Sequence, residues 1–467
     1  MTDEQLALTA HLLRRAGAGA SREELEAASH QPYAALVEDL LHPDRSPDLD
    51  DDLLFRYFPA LVNAETPHVW SSRWIWRMAN TKRPLEEKMA LFWHHVFATG
   101  WFKSEHTSTM AAQNEMLRQD GLANLRTILL NLSRDPAMIF WLDNCESHAS
   151  APNENYGREL LELFSMGIGN YTETDVKMAG RAFTGWTFQQ PIPLYPYGHY
   201  PSKFVYNPDD HDDSEKTFLG HSGRLNGDDI IDIIVKQEAT ARFIARHLYN
   251  FFVADELQVS AWSVIPPQDP AAIDALVETF LSSDGDIRSV MRVLLNSEFF
   301  KAARFKRVKC PAEFIAGVLK LAGAMREPEP ALAGVSIQAQ IMGQALFDAP
   351  SVEGWHTGKE WIDGGTLTDR VNFAVAQVRD PRKPGVQAII RRLGANGSPV
   401  GPSDFITRCL ELAGPVEAGA DTRAVLQEAA ESGGDLRFDD ETATRESGQR
   451  IARMLSLIVA APEYQFA

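Results

Sequence analysis

Apolar residues recur at intervals of three and four along nearly all of this 467-residue chain, a spacing that buries one side of a helix. The pattern runs through residues 6–15, 21–41 (with a break near Pro32), 84–97, 122–132, 156–166 and 176–183. It resumes at 230–235, 239–253, 287–299, 312–321, 337–346, 367–378 and 443–460. Segment 84–97 shows the logic most clearly: Pro84 opens it, Glu86 and Glu87 sit near the positive end, and Met89, Leu91 and Phe92 follow. The expected fold is all-α, a multi-helix body. One stretch departs from the pattern. Residues 186–220 are rich in Pro, Tyr, Gly and Asp, with β-like runs at 203–206 and 217–219, and read as a long loop or small hairpin insertion. A second punctuation, 351–365, places Trp355 and Trp361 among glycines. Segments 379–402 and 431–442 read as surface connections, so that 380–467 is a candidate C-terminal helical subdomain of one chain-long domain. No repeat of fixed period appears, which argues against a solenoid.

Charge narrows the partners. With 64 acidic against 45 basic residues the formal net charge is -19, which disfavours binding to nucleic acid or anionic lipid. The three cysteines, Cys145, Cys310 and Cys409, have neither disulfide-framework nor zinc-type spacing. The amino-terminal residues lack an apolar signal core, and no stretch approaches the ~20 apolar residues of a membrane span. The expectation is a soluble, cytoplasmic protein. No dinucleotide fingerprint, Walker loop or nucleophile elbow stands in a strand–turn–helix setting, so no cofactor is indicated and its identity stays open.

The densest chemistry lies in residues 153–186. Asn155 is placed to cap a helix beginning at Tyr156, on which Glu159 and Glu162 are three apart and share a face. Two buried carboxylates so spaced perturb each other's proton affinity, letting one act as acid and the other as base, or both hold a cation. Alternatively Arg158 pairs with Glu162, four residues on. Thr172 and Asp175 match a capping box, leaving Asp175 either a cap or a catalytic group. Trp186 opens the insertion, as a stacking platform for a sugar or as a hydrophobic peg. His94 and His95 are adjacent, so only one can face a given pocket, and their context is not the HExxH of zincins. The run Asp209 to Asp213, with His211 at its centre, suits a hard cation in composition but not in spacing. Residues 283–287 read as a turn and helix cap rather than a calcium loop.

Several stretches together resemble one family. HLLRRAGAGAS (11–21), MALFWHHVFATG (89–100) and NENYGRELLELFSMGIGNYTETDVKMAGRAFTGW (153–186) are its markers. So are HDDSEKTFLG (211–220), RHLYNFFV (246–253), MGQALFDAP (342–350) and GWHTGKEWIDGGTLTDRVNFA (354–374). The chain is similar throughout to DUF1800 proteins, a family without assigned activity. The resemblance implies kinship with proteins often exported and often encoded beside sulfatase-like proteins, which points toward glycan chemistry. This chain departs from the common pattern at two places. It has His94-His95-Val96 where many members have His-Asn-His, and Phe164 where many have His. A metal site that needs histidines at 96 and 164 would be incomplete here.

Three functions remain in view. The first is an enzyme acting on a polar, carbohydrate-like substrate, a glycan hydrolase for instance. Glu159 or Glu162 would be acid or base, assisted by His94, Asp175 or His211, and Asn155, Arg158, Trp186 and Trp355 would position the substrate. The second is a metal-dependent enzyme using His94, Glu159, Glu162 and the His211 cluster, although the ExxH spacing of helical-bundle metal sites is lacking. The third is a non-catalytic binding or assembly protein.

Overall fold

The helix Pro84–Val96 is buried on every side, and the rest of the molecule is arranged around it. Such a helix belongs to the interior of a large domain. Tyr33–Leu41, Pro67–Asn80, Thr107–Asp120 and Glu238–Phe252 all pack against it. A computed structural model describes residues 3–59, 67–104, 106–190, 202–257, 262 and 265–467. Among these the chain forms 24 α-helices and four short strands, so the fold is all-α.

Burying this helix all round also buries its charges, and each has partners. Glu87 accepts hydrogen bonds from Trp74 Nε1 (2.9 Å), Arg77 Nε (2.8 Å) and Arg118 Nε (3.0 Å). Its neighbour Lys88 points elsewhere and pairs with Glu313, which also takes both 2.8 Å bonds of Arg307. Interior charges are tolerated only when satisfied in this way.

The expected helices are present with boundaries set by local chemistry. The break near Pro32 separates Arg22–Ala28, opened by a Ser21–Glu24 capping box, from Tyr33–Leu41. Segment 287–299 is two helices, Ile287–Asn296 and Glu298–Lys301, because Ser297 is extended and caps the second. Asp286 caps the first, as the turn-and-cap reading requires.

The insertion contains two antiparallel hairpins. Trp186–Gln189 pairs with Lys203–Tyr206, Trp186 opposite Tyr206. Lys216–Phe218 pairs with His221–Gly223. The tight turn between the latter strands puts both Leu219 and Gly220 at positive φ, the conformation that matches strand twist in two-residue hairpins. Residues 191–201 of the expected insertion lie outside the described residues.

One expectation fails. Segment 379–402 is not a surface connection: it contains the helix Pro384–Gly394, with Val386, Ile389, Ile390 and Leu393 buried. The Pro-Gly pair that suggests a turn is a helix start. A Cβ on Gly385 would lie 2.1 Å from the Leu321 carbonyl oxygen, so glycine there permits close approach to helix Pro311–Ala322. The final long helix, Glu441–Ala460, packs on this helix and on Gly364–Val378, and one hydrophobic core runs from Leu12 to Tyr464. No helix among the described residues is long and apolar enough to cross a membrane.

Candidate functional site

The acidic helix spans Asn155–Glu162 and begins one residue earlier than its sequence suggests. Asn155 is not the cap: Asn153 Oδ1 accepts the Asn155 N–H at 2.8 Å, and Glu154 occupies the cap position. The helix lies tightly against Glu173–Ala182, because Gly157 meets Gly180; a Cβ on Gly157 would be 2.9 Å from Gly180 N. Tyr156, Leu160 and Leu161 point into the core, leaving Glu159 and Glu162 half-buried on the other face.

No salt bridge joins Arg158 to Glu162 among the described residues. Arg158 turns instead to Glu173, with two 2.8 Å bonds, and to Glu154 at 3.5 Å. Glu162 accepts the Tyr171 hydroxyl at 2.9 Å, and burial together with this bond raises the phenol's proton affinity. Glu159 is affected as well. Burial and the nearby Glu162 push its carboxyl up to about 7, Glu353 adds to this, and Arg158 opposes it.

Glu162 stands on the wall of a cavity of about 860 Å³. Its other polar walls include His95, His247, Asn250, Glu353 and His356, with Trp355, Trp262 and Phe243 among the aromatic ones. Exposed residues at its edge, Ile168, Asn170, Arg242 and Glu353, open it to solvent. The size suits a small-molecule ligand. The loop carrying Glu353 and Trp355 reaches the end of helix Pro84–Val96 through Gly354. This residue has φ +81°, and a Cβ on it would come within 2.7 Å of the His95 carbonyl oxygen.

Two of the three cavity histidines, His95 and His247, are held in the neutral form by burial. Burial, reinforced by His247, Arg307 and His94, lowers His95 to about 3, and burial lowers His247 to about 4. His247 Nδ1 lies 2.8 Å from the Phe243 carbonyl; donating there, it leaves Nε2 as an acceptor. The His95 ring stacks on Trp355, with 6.1 Å between centroids.

The remaining candidates from the sequence lie apart from this wall. His94 is the core member of its pair: 1% exposed, its Nε2 accepts the Phe347 N–H at 3.1 Å, and burial lowers it to about 3. Asp175 is the third helical residue of a capping box whose cap is Thr172. One oxygen accepts the Thr172 N–H and hydroxyl, and the other accepts the Leu219 N–H at 2.8 Å, anchoring the tight hairpin turn. Trp186 is a peg rather than a platform, buried against Phe183 with its indole N–H donated to Asn226. His211 sits under the hairpin, Nδ1 2.9 Å from the Thr184 carbonyl. Three of the four acids around it are paired, Asp212 with Arg181, Asp210 with His148 and Asp213 with Arg224. Trp355 and Glu162 are thus the sequence candidates that line the cavity.

Sequence reasoning missed His95 as the inward member, and also His247, Asn250, Glu353 and His356. The signal was present for four of these, since His95 falls in MALFWHHVFATG, His247 and Asn250 in RHLYNFFV and His356 in GWHTGKEW. Among the described residues no group of three or more His, Cys, Asp or Glu side chains is placed to hold a metal ion. Of the two departures from the common pattern, Val96 lines the cavity, while Phe164 is buried edge-on against Phe97. A second hollow, of about 100 Å³ beside Gly17–Ser21, has among its lining cations Arg392, paired with Glu26, and Lys320, paired with Glu24.

The model of the family described as "Protein of unknown function (DUF1800)" matches residues 11–466. No curated protein and no solved structure matches the chain.

Proposed function

Since the chain belongs to the DUF1800 family, whose description assigns no chemistry, we propose its function from the cavity: an enzyme acting on a polar, carbohydrate-like substrate by carboxylate acid–base chemistry. The observation that carries this reading is a pair of carboxylates one helical turn apart, neither clasped by an arginine, one of them on the wall of a cavity of about 860 Å³.

Glu162 is the member that meets the substrate. The Tyr171 hydroxyl fixes its orientation, and its free lone pairs can take a proton from water or a sugar hydroxyl. Glu159, one turn back, retains a proton near neutrality, so the pair tends to carry one negative charge rather than two. That division is how coupled carboxylates hold one acid and one base at the same pH. Buried Trp355 backs the wall behind His95, and neutral His247 adds a proton acceptor.

The test is turnover on a panel of oligosaccharides with wild type, Glu162→Gln and Glu159→Gln. The Glu162 variant is expected to lose about 10²-fold or more in rate. Full activity in both variants removes the acid–base assignment. A binding role without turnover would use the same cavity, and its signature is saccharide affinity with no product formed.

A further inference from the structure

We infer that the ligand of this cavity carries a positive charge beside its hydroxyls, and that its class is an amine-bearing saccharide. The inference rests on the reading of the cavity as a saccharide site and adds the ligand's charge to it.

The cations on the wall are engaged. Arg246 binds Glu256 at 2.7 Å and donates to the carbonyls of Trp262 and Ile265 at 2.6 Å. Arg242 pairs with Glu238 at 3.1 Å and with Asp274 at 2.9 Å. His356 lies 3.1 Å from Glu360. The acids are not so matched. Glu162 has the Tyr171 hydroxyl but no salt bridge among the described residues, and Glu353, on the opposite loop, has none either.

The cavity therefore holds two carboxylates without a counter-charge, alongside the uncharged imidazoles of His95 and His247. The proton affinity of Glu159, raised first by burial, is raised further by Glu162 and Glu353. A neutral saccharide would leave these acids uncompensated as it displaced their water, and an anionic one would be repelled. An ammonium group supplies the counter-charge that these carboxylates lack.

Calorimetric titration of the full chain with three β-1,4 tetrasaccharides, of glucosamine, N-acetylglucosamine and glucose, tests this at about pH 6, where a sugar amine is charged. The expected result is binding of the glucosamine tetramer about tenfold or more tighter than either neutral one. That preference should shrink in about 0.5 M salt, where exposed charges are screened. Glu353→Gln, at an exposed position that does not threaten folding, should cut the preference severalfold. Equal or tighter binding of a neutral tetramer, or no binding by any of the three, overturns the inference. Turnover separates it from the parent reading. Selective amine binding without Glu162-dependent conversion sinks the acid–base chemistry and leaves the charge selection standing. Glu162-dependent conversion of all three tetramers with equal affinity does the reverse.

Discussion

Arg158 reaches across to Glu173 with both ends of its guanidinium, each bond 2.8 Å, and so leaves the two acids of its own helix without a bound cation. The common helix-surface alternative, a pair with Glu162 four residues on, would neutralise the carboxylate that faces the cavity. The fork-to-fork geometry with Glu173 favours the longer-range partner.

Removing that partner should therefore alter the acids. In Glu173→Gln, Arg158 is expected to relax toward Glu159 and Glu162, and the midpoint of Glu159 should fall from about 7 toward the ordinary carboxylate range. Carboxyl chemical shifts followed through a pH titration read this directly. An unchanged midpoint would show that Arg158 stays away from the acids for reasons other than Glu173.

Glu159 also predicts a pH dependence of stability. Its folded-state value, about 7, lies above the ordinary 4.5, so between those values the native state binds more protons than the unfolded state. The contribution of this group is fully present below about pH 4.5 and is lost as pH rises through about 7. Glu159→Gln removes the penalty. Its stability relative to wild type should rise between pH 5 and pH 8 by about 1 kcal/mol, a value discounted for the group's partial exposure. Urea denaturation at the two pH values measures it, and a parallel pair of curves would contradict the assignment.

Gly157 is the hinge of the site's geometry. In Gly157→Ala the new methyl would meet Gly180 N at 2.9 Å and Ala179 Cβ at 3.0 Å, forcing the two helices apart at a destabilisation of about 1–3 kcal/mol. Gly334→Ala is the control, since nothing lies within 4 Å of its Cβ position and its φ is -91°. Similar melting temperatures for the two variants would mean that the helix crossing is more forgiving than its spacing implies.

The fold class was readable because its signals are local. Pro84 with Glu86 and Glu87, the Thr172–Asp175 box and the β-like run at 203–206 each act within a few residues, and each appears as expected. The Pro-Gly pair at 384–385 misled because its meaning depends on the Leu321 carbonyl, which no local pattern reveals. The site was half legible. Glu162 and Trp355 sit in conspicuous motifs, but choosing between His94 and His95 required knowing how a helix without a polar face is rotated. His247 reads as one more polar residue of a largely buried helix, and Glu353 joins the wall through a loop distant in sequence.

Consecutive residues Glu87 and Lys88 engage different partners, one bound by Arg77 and Arg118, the other by Glu313. A helix advances about 100° per residue, so rolling this one by a single position would strand both ions in an apolar interior. The central rod is in effect keyed like a shaft in its collar. Because His95 rides on that rod, the key that fixes its angle also determines which imidazole the cavity receives.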